Sequence, residues 1–264
     1  LNVPAFITRI KNDTSFYKAF RNLHILGFTA INDIRMNDGD GKIKAGLRST
    51  TKQLRSNNCR SMQTIEEQVT GDIYDENRNF NYYTAQMYAS LFFTKDSVCG
   101  ENNIVTGTAF STAGKSGLEK NKEQLKMLFF NPGKRINGLP FISNKTAIYD
   151  DEMADKYDMS IDIDMFKSQS CYIFTQKVKP ENKDDVIVDE MTTWFNDQTF
   201  EVVARNYSLS YSAGVYDFKV QMEVVMTKFG EYLVPSVIRY IGNWKAIFKP
   251  RERGIFTATL FDFN

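Results

Sequence analysis

The clearest alternation of apolar and polar positions runs through Phe218, Val220, Met222, Val224 and Met226, set against Lys219, Gln221, Glu223 and Thr227. A period of two puts successive side chains on opposite faces, so this segment predicts a strand with one apolar and one polar face. From Tyr157 onward the same logic predicts a series of strands: Ile161 to Met165, Tyr172 to Lys179, Val186 to Phe195, Phe200 to Tyr211, Val215 to Lys228, Tyr232 to Tyr240 and Gly254 to Phe263. Turn residues punctuate them, at Asn196-Asp197-Gln198, Ser212-Ala213-Gly214, Phe229-Gly230-Glu231 and Gly242-Asn243. Gaps this short favour antiparallel hairpins over βαβ crossovers. In the last strand, Phe256, Ala258 and Leu260 alternate with Thr257 and Thr259, yet Phe261 and Phe263 put aromatics on the threonine face. A sheet apolar on both faces needs cover on both, from helices on one side and a ligand or a thick core on the other.

The N-terminal half reads differently. Phe6, Ile10, Phe16, Phe20 and Leu23 recur at near-helical spacing and predict a helix from Pro4 to Leu23, with Asn12-Asp13-Thr14 as a point of breakage. Leu26 to Met36 and Lys42 to Leu54 predict a hairpin around Asn37-Asp38-Gly39-Asp40-Gly41. Asn79 to Phe93 predicts a second helix, rich in Tyr82, Tyr83, Met87, Tyr88, Leu91 and Phe92. Leu118 to Phe130 predicts a third, with Ser116 and Glu119 as cap residues and Asn131-Pro132-Gly133 as its stop. Ser97 to Gly117 reads as loop.

Composition narrows the classes. The 264 residues carry 42% hydrophobic and 14% aromatic residues, too many for a disordered chain. Lys and Arg total 33 and Asp and Glu total 32, a net charge of +1 that supplies no basic field for nucleic acid. His24 is the sole histidine, which excludes His-rich zinc sites and histidine relays. No apolar run approaches the about 20 residues that cross a bilayer. The chain opens on Leu1-Asn2-Val3-Pro4 without Met, as expected of a processed or trimmed N-terminus. One domain is expected over residues 1–264, with a helical insertion or lid at about 59–140. Cys59 and Cys99 sit among polar turn residues, and Cys171 in an apolar strand pattern. Two readings are open: a Cys59–Cys99 disulfide with Cys171 reduced and buried, which is the expectation, or three unrelated thiols.

Candidate catalytic motifs are incomplete. Ala109 to Ser116 ends like a phosphate-binding loop but has Ala where the first glycine must turn. Asp38-Gly39-Asp40-Gly41 opens like a calcium loop, but Ile43 and Ser49 stand where a glycine and an acid are required. Asp162 and Asp164 share one strand face and could act as a hydrolase pair, although a solvated face is the commoner cause. No cofactor and no metal is expected.

The order of features in the C-terminal half resembles a family. Cys171 to Gln176 begins a strand; Met191-Thr192-Thr193-Trp194-Phe195 leads into the turn at Asn196 to Thr199; Val202-Val203-Ala204-Arg205 follows; then come Tyr232-Leu233-Val234-Pro235-Ser236 and a Phe-rich final strand. This resembles the LolA-like superfamily of outer-membrane lipoprotein-sorting proteins and related periplasmic lipoproteins of Gram-negative bacteria. The resemblance covers about the last third of the chain. It implies an α+β, mainly β fold: a strongly curved antiparallel half-barrel with helices packed in its concave face and an apolar cavity between.

The expected function is then that of a non-enzymatic envelope protein, periplasmic or membrane-anchored. It would bind a lipid, a lipoprotein acyl chain or another hydrophobic ligand. The expected wall is Phe218, Val220, Met222, Val224 and Met226, with Tyr82, Met87, Tyr88 and Phe92 on a covering helix. Each buried acyl CH₂ is worth about 0.8 kcal/mol, so burial alone can hold such a ligand. The same residues could equally fill a solid core. A monomer is expected, with an outer-membrane protein as a possible partner. The alternatives are a structural or interaction domain without internal ligand, and a hydrolase using Asp162 and Asp164.

Overall fold

A computed structural model describes residues 2–105, 127–136, 143–213, 216–246 and 250–264. The chain divides into two compact units, one of Leu1–Phe20 with Ile104–Tyr211, the other of Arg21–Asn103 with Ser212–Asn264. They are called the first and second units.

The first unit opens on helix α1, Val3–Ile10. The Asn2 side chain accepts from the Ala5 amide at 3.0 Å, and Pro4 sits in the first turn, where its missing N–H costs nothing. Helix α2, Ser15–Asn22, starts afresh instead of continuing α1. Asp13 is the reason: its carboxylate accepts from the Ser15 amide at 3.1 Å and the Ser15 hydroxyl at 2.8 Å. The continuous helix expected from Pro4 to Leu23 is thus two helices, broken at Asn12-Asp13-Thr14.

Four antiparallel strands follow in this unit: β5 (Tyr157–Phe166), β6 (Gln169–Val178), β7 (Val188–Asn196) and β8 (Val202–Ala213), in the order β8-β7-β6-β5. Their register places Phe174 opposite Thr193 and Thr193 opposite Arg205. Phe6 of α1 is fully buried against this sheet, with ring centroids 5.0 Å from Phe174 and 5.4 Å from Phe195. A one-turn helix, Asp151–Ala154, precedes β5. Of the helix expected at 118–130, residues 127–130 are described and helical, and the Asn131 backbone N–H closes them by donating a hydrogen bond to the Met127 carbonyl. The loop at 109–116 lies outside the described residues.

The second unit contains β1 (Phe28–Asn37), β2 (Ile43–Ser56), β3 (Cys59–Thr70), helix α3 (Tyr83–Phe92), β4 (Ser97–Cys99), β9 (Tyr216–Phe229), β10 (Tyr232–Ala246) and β11 (Glu252–Phe261). Its strand order is β4-β3-β2-β1-β11-β10-β9, and neighbouring strands pair antiparallel throughout. Asp38 shapes the β1–β2 turn: its Oδ1 accepts from the Asp40 and Lys42 amides, each at 2.9 Å. Pro235 is tolerated in β10 because the register slips there, between Pro235 and Val237.

The fold is α+β and mainly antiparallel sheet, but the sheet is neither closed into a barrel nor strongly curved. This corrects the half-barrel with helices in its concave face. The outer strands supply the physical reason. β5, at one edge, and β3, paired on its outer side only at Cys59 to Ser61 by the three-residue β4, leave most residues of both faces exposed or half-buried, as strands do when nothing wraps around them. The two-faced cover expected for β11 is likewise absent at Phe261, which is 36% exposed, as is Ile241 of β10 at 53%. One face is buried, through Phe256, Ala258 and Leu260.

Candidate functional site

The buried face over which α3 lies is built from three neighbouring strands, β9, β10 and β11. β9 contributes Phe218, Val220, Met222, Val224 and Met226, all buried. Register sets Tyr240 of β10 opposite Met222, Gly242 opposite Val220 and Trp244 opposite Phe218. Phe218 and Trp244 stack at 4.6 Å. On β11, Phe256 faces Tyr240 and Gly254 faces Gly242. The paired glycines have a use. A Cβ at Gly254 would lie 2.6 Å from the Tyr88 hydroxyl, and one at Gly242 would collide with the Tyr240 ring. Two missing side chains therefore make a shallow trough in the sheet, and two tyrosine rings lie in it.

Helix α3 covers this trough. Tyr88 is buried and stacks on Phe256 at 5.3 Å, while Phe92 stacks on the same ring at 4.9 Å. Tyr88 also meets Tyr240 edge-on at 4.9 Å. Tyr82, Met87 and Phe92 are half-buried. Tyr82 turns its hydroxyl to Asp72 at 2.6 Å. Of the nine residues expected to form an apolar wall, the five on β9 share one buried face, and Tyr88 and Phe92 are anchored on Phe256 of the same sheet. Burial pushes the hydroxyls of Tyr83, Tyr88 and Tyr240 well above their ordinary range, so all three stay protonated.

The sequence reading missed the group that holds α3 in place. Tyr82, in the N-cap position, makes no side-chain cap. Glu252 of β11, 8% exposed, replaces it. Its carboxylate accepts from the Tyr83 amide at 3.1 Å, the Thr84 amide at 2.9 Å and the Thr84 hydroxyl at 2.6 Å. A carboxylate at a helix N-terminus satisfies orphan donors and opposes the helix dipole. The absence of Ser, Thr, Asp or Asn at position 82 was the only sequence signal of it. Glu252→Gln keeps the shape but loses the charge, and about 2 kcal/mol of stability is expected to go with it. Urea unfolding checks this, through a lowered midpoint at unchanged slope.

The remaining candidates fall elsewhere. Cys59 and Cys99 are bonded to each other, and Cys171 is a buried free thiol. Beside the disulfide, Glu101 takes Arg60 Nε at 2.5 Å and His24 Nδ1 at 2.7 Å. Arg60 also donates to Thr94 and, at 3.3 Å, to Gln53. Burial holds His24 below its ordinary 6.5, against the pull of Glu101, so the imidazole is neutral at pH 7 and its Nδ1–H donates. His24 thereby fastens the chain. Asp162 and Asp164 are both exposed on β5. Among the described residues no group of three or more His, Cys, Asp or Glu is placed to hold a metal, and no helix is long and apolar enough to cross a membrane.

Cavities among the described residues include two that lie apart from the apolar wall. One of about 590 Å³ lies over β1, β2 and β3, with Ile31, Asp33, Arg48, Glu66 and Glu67 in its lining. One of about 430 Å³ lies in the first unit, among Lys11, Gly133, Lys134, Arg135, Tyr149 and Asp150. None of the nine wall residues lines either.

No protein-family model matches this chain, and no curated protein matches it. Among solved structures it has a weak, low-identity likeness to a putative outer membrane lipoprotein-sorting protein domain from Vibrio parahaemolyticus. The identity is 6% and the TM-score 0.31, over 98% of this chain and 90% of that one. A DUF1329 family protein from Desulfovibrio piger is similar at 10% identity and a TM-score of 0.27, over 95% of this chain and 93% of that one.

Proposed function

We propose that this chain is a non-enzymatic protein of the cell envelope that holds a lipid, an acyl chain or another hydrophobic ligand against the buried face of β9, β10 and β11, with α3 as its cover. One observation carries the reading: the form of α3. The helix is pinned at its N-terminus by the Glu252 carboxylate, and beyond that it meets the sheet through Tyr88 and Phe92 on Phe256. Met87, Leu91 and Phe92 remain half-buried along it. A helix with a polar hinge at one end and adaptable Met and aromatic side chains along its length can rise without breaking its own hydrogen bonds. Raising it would uncover Phe256 and Tyr240, and Tyr240 lies opposite Met222 of the buried β9 run.

Two further observations support an envelope setting. Disulfides such as Cys59–Cys99 persist in oxidising compartments and are rare in the cytosol. The order of Trp194, Arg205 and Leu233-Val234-Pro235 resembles that of lipoprotein-sorting proteins. The solvated position of Asp162 and Asp164 gives the hydrolase reading no support.

Extraction tests the proposal. Protein purified without detergent is expected to release a hydrophobic compound into organic solvent, in near-stoichiometric amount by mass spectrometry. Repeatedly empty extracts, from protein that also fails to take up added fatty acid, would refute it.

A further inference from the structure

β5 is the last strand of the first unit's sheet. It pairs with β6 along its whole length, from Tyr157 opposite Val178 to Phe166 opposite Gln169. Among the described residues, no strand pairs with its other edge. A long strand with one row of backbone donors and acceptors unmatched is a template for a further strand. Its side chains alternate cleanly. Asp158, Ser160, Asp162 and Asp164 take one face, and Met159, Ile161, Ile163 and Met165 the other. The apolar row lies on the face where α1 rests, since Ile161 stands opposite Phe174, whose ring meets Phe6. Toward the end of the strand the row opens to water: Ile163 is 67% exposed and Met165 61%. On β6 their cross-strand neighbours are Tyr172 and Ser170, so each has such a neighbour on one side alone.

Charge decides what fits this edge. Lys177 stands opposite Asp158, but Ile173 and Cys171 stand opposite Asp162 and Asp164. Asp164 accepts from the Met165 amide at 2.7 Å, and among the described residues no cation pairs with either aspartate. A second copy of β5 laid antiparallel on the edge would set aspartates against aspartates, and like charges directly opposite are destabilising. A strand with Lys or Arg at every second position instead sets cations against Asp162 and Asp164, and its intervening apolar residues against Ile163 and Met165. The outer edge of β3 offers no such match. Its residues do not alternate, and Glu67 is already taken by Tyr74 at 3.2 Å and Arg78 at 2.5 Å.

We propose that β5 is a docking edge for an extended segment of a partner protein in which Lys or Arg alternates with apolar residues, added to the sheet as one more strand. Such docking needs no hydrophobic ligand in the second unit.

Labelled peptides test this on the full chain. A peptide alternating Lys with Val is compared by fluorescence anisotropy with one alternating Glu with Val and with a shuffled Lys and Val sequence. Saturable binding is expected for the alternating Lys peptide alone, with slowed amide exchange in β5 and none in β3. Asp162→Lys with Asp164→Lys changes two exposed positions, so the variant is expected to melt with the parent. It should bind the Lys peptide about tenfold more weakly, two cross-strand attractions having become repulsions, and should prefer the Glu peptide. No saturable binding, equal binding of any two peptides by the parent, or unchanged preference in the folded variant would overturn the proposal. So would dimers of the unliganded chain with β5 protected from exchange, which would assign the edge to a second copy.

Discussion

Phe256→Ala is expected to lower stability by about 4 kcal/mol, the middle of the range for truncating a buried phenylalanine. Phe256 is fully buried and receives two stacked rings, Tyr88 at 5.3 Å and Phe92 at 4.9 Å. It also faces Ile34 of β1 and Tyr240 of β10 in register. Removing its ring leaves a void under the middle of α3. Tyr88 cannot drop into that void without dragging its hydroxyl away from Gly254. The cost therefore includes lost ring contacts as well as lost burial. Chemical denaturation of the variant gives the number. A change below about 1 kcal/mol would mean that α3 does not rest on this ring.

Removing the disulfide is expected to cost nearly as much, about 4 kcal/mol in the chain-entropy account. The bond closes a loop across a sequence separation of 40. It also fixes a very short strand: β4 has three residues, and it pairs with Cys59, Arg60 and Ser61 of β3. Glu101 lies two residues beyond Cys99, and Arg60 directly follows Cys59. Loss of the bond would thus also loosen the contacts of Glu101 with Arg60 and His24. Cys59→Ser with Cys99→Ser should melt well below the parent, and amide exchange should rise first in β3 and β4. Equal melting of the two proteins would contradict this.

Strands with one buried face were legible because burial imposes the period of two. The run from Phe218 to Met226 is the plainest case, and its turn residues fixed both ends. β3 escaped for the same reason. Cys59–Thr70 reads Arg60-Ser61-Met62-Gln63-Thr64-Ile65-Glu66-Glu67-Gln68, with no alternation, since this strand leaves both faces largely open to water. β3 is held by backbone pairing and a disulfide, and neither writes a hydrophobic pattern. The break between α1 and α2 was visible as Asn12-Asp13-Thr14, but that Asp13 starts a new helix depended on its bonds to Ser15. The curvature expected from family resemblance had no counterpart in any residue pattern. Aromatics on both faces of β11 pointed to cover on both, whereas Phe261 is left at the surface. Glu252 was illegible as a cap because its helix lies 168 residues earlier in the chain.

The apolar wall was legible as residues and not as a container. Phe218, Met222 and their neighbours are buried whether a ligand or α3 covers them, so only ligand uptake separates the two. Trp244 reports on this directly. It is buried, stacks on Phe218, and donates its indole N–H to Tyr240. In a Trp194→Phe variant it is the sole tryptophan, because the chain has two. Titration of that variant with cis-parinaric acid is predicted to give saturable energy transfer from Trp244, at about one ligand per chain. Transfer that never saturates, or its absence in protein that circular dichroism shows to be folded, would contradict the account.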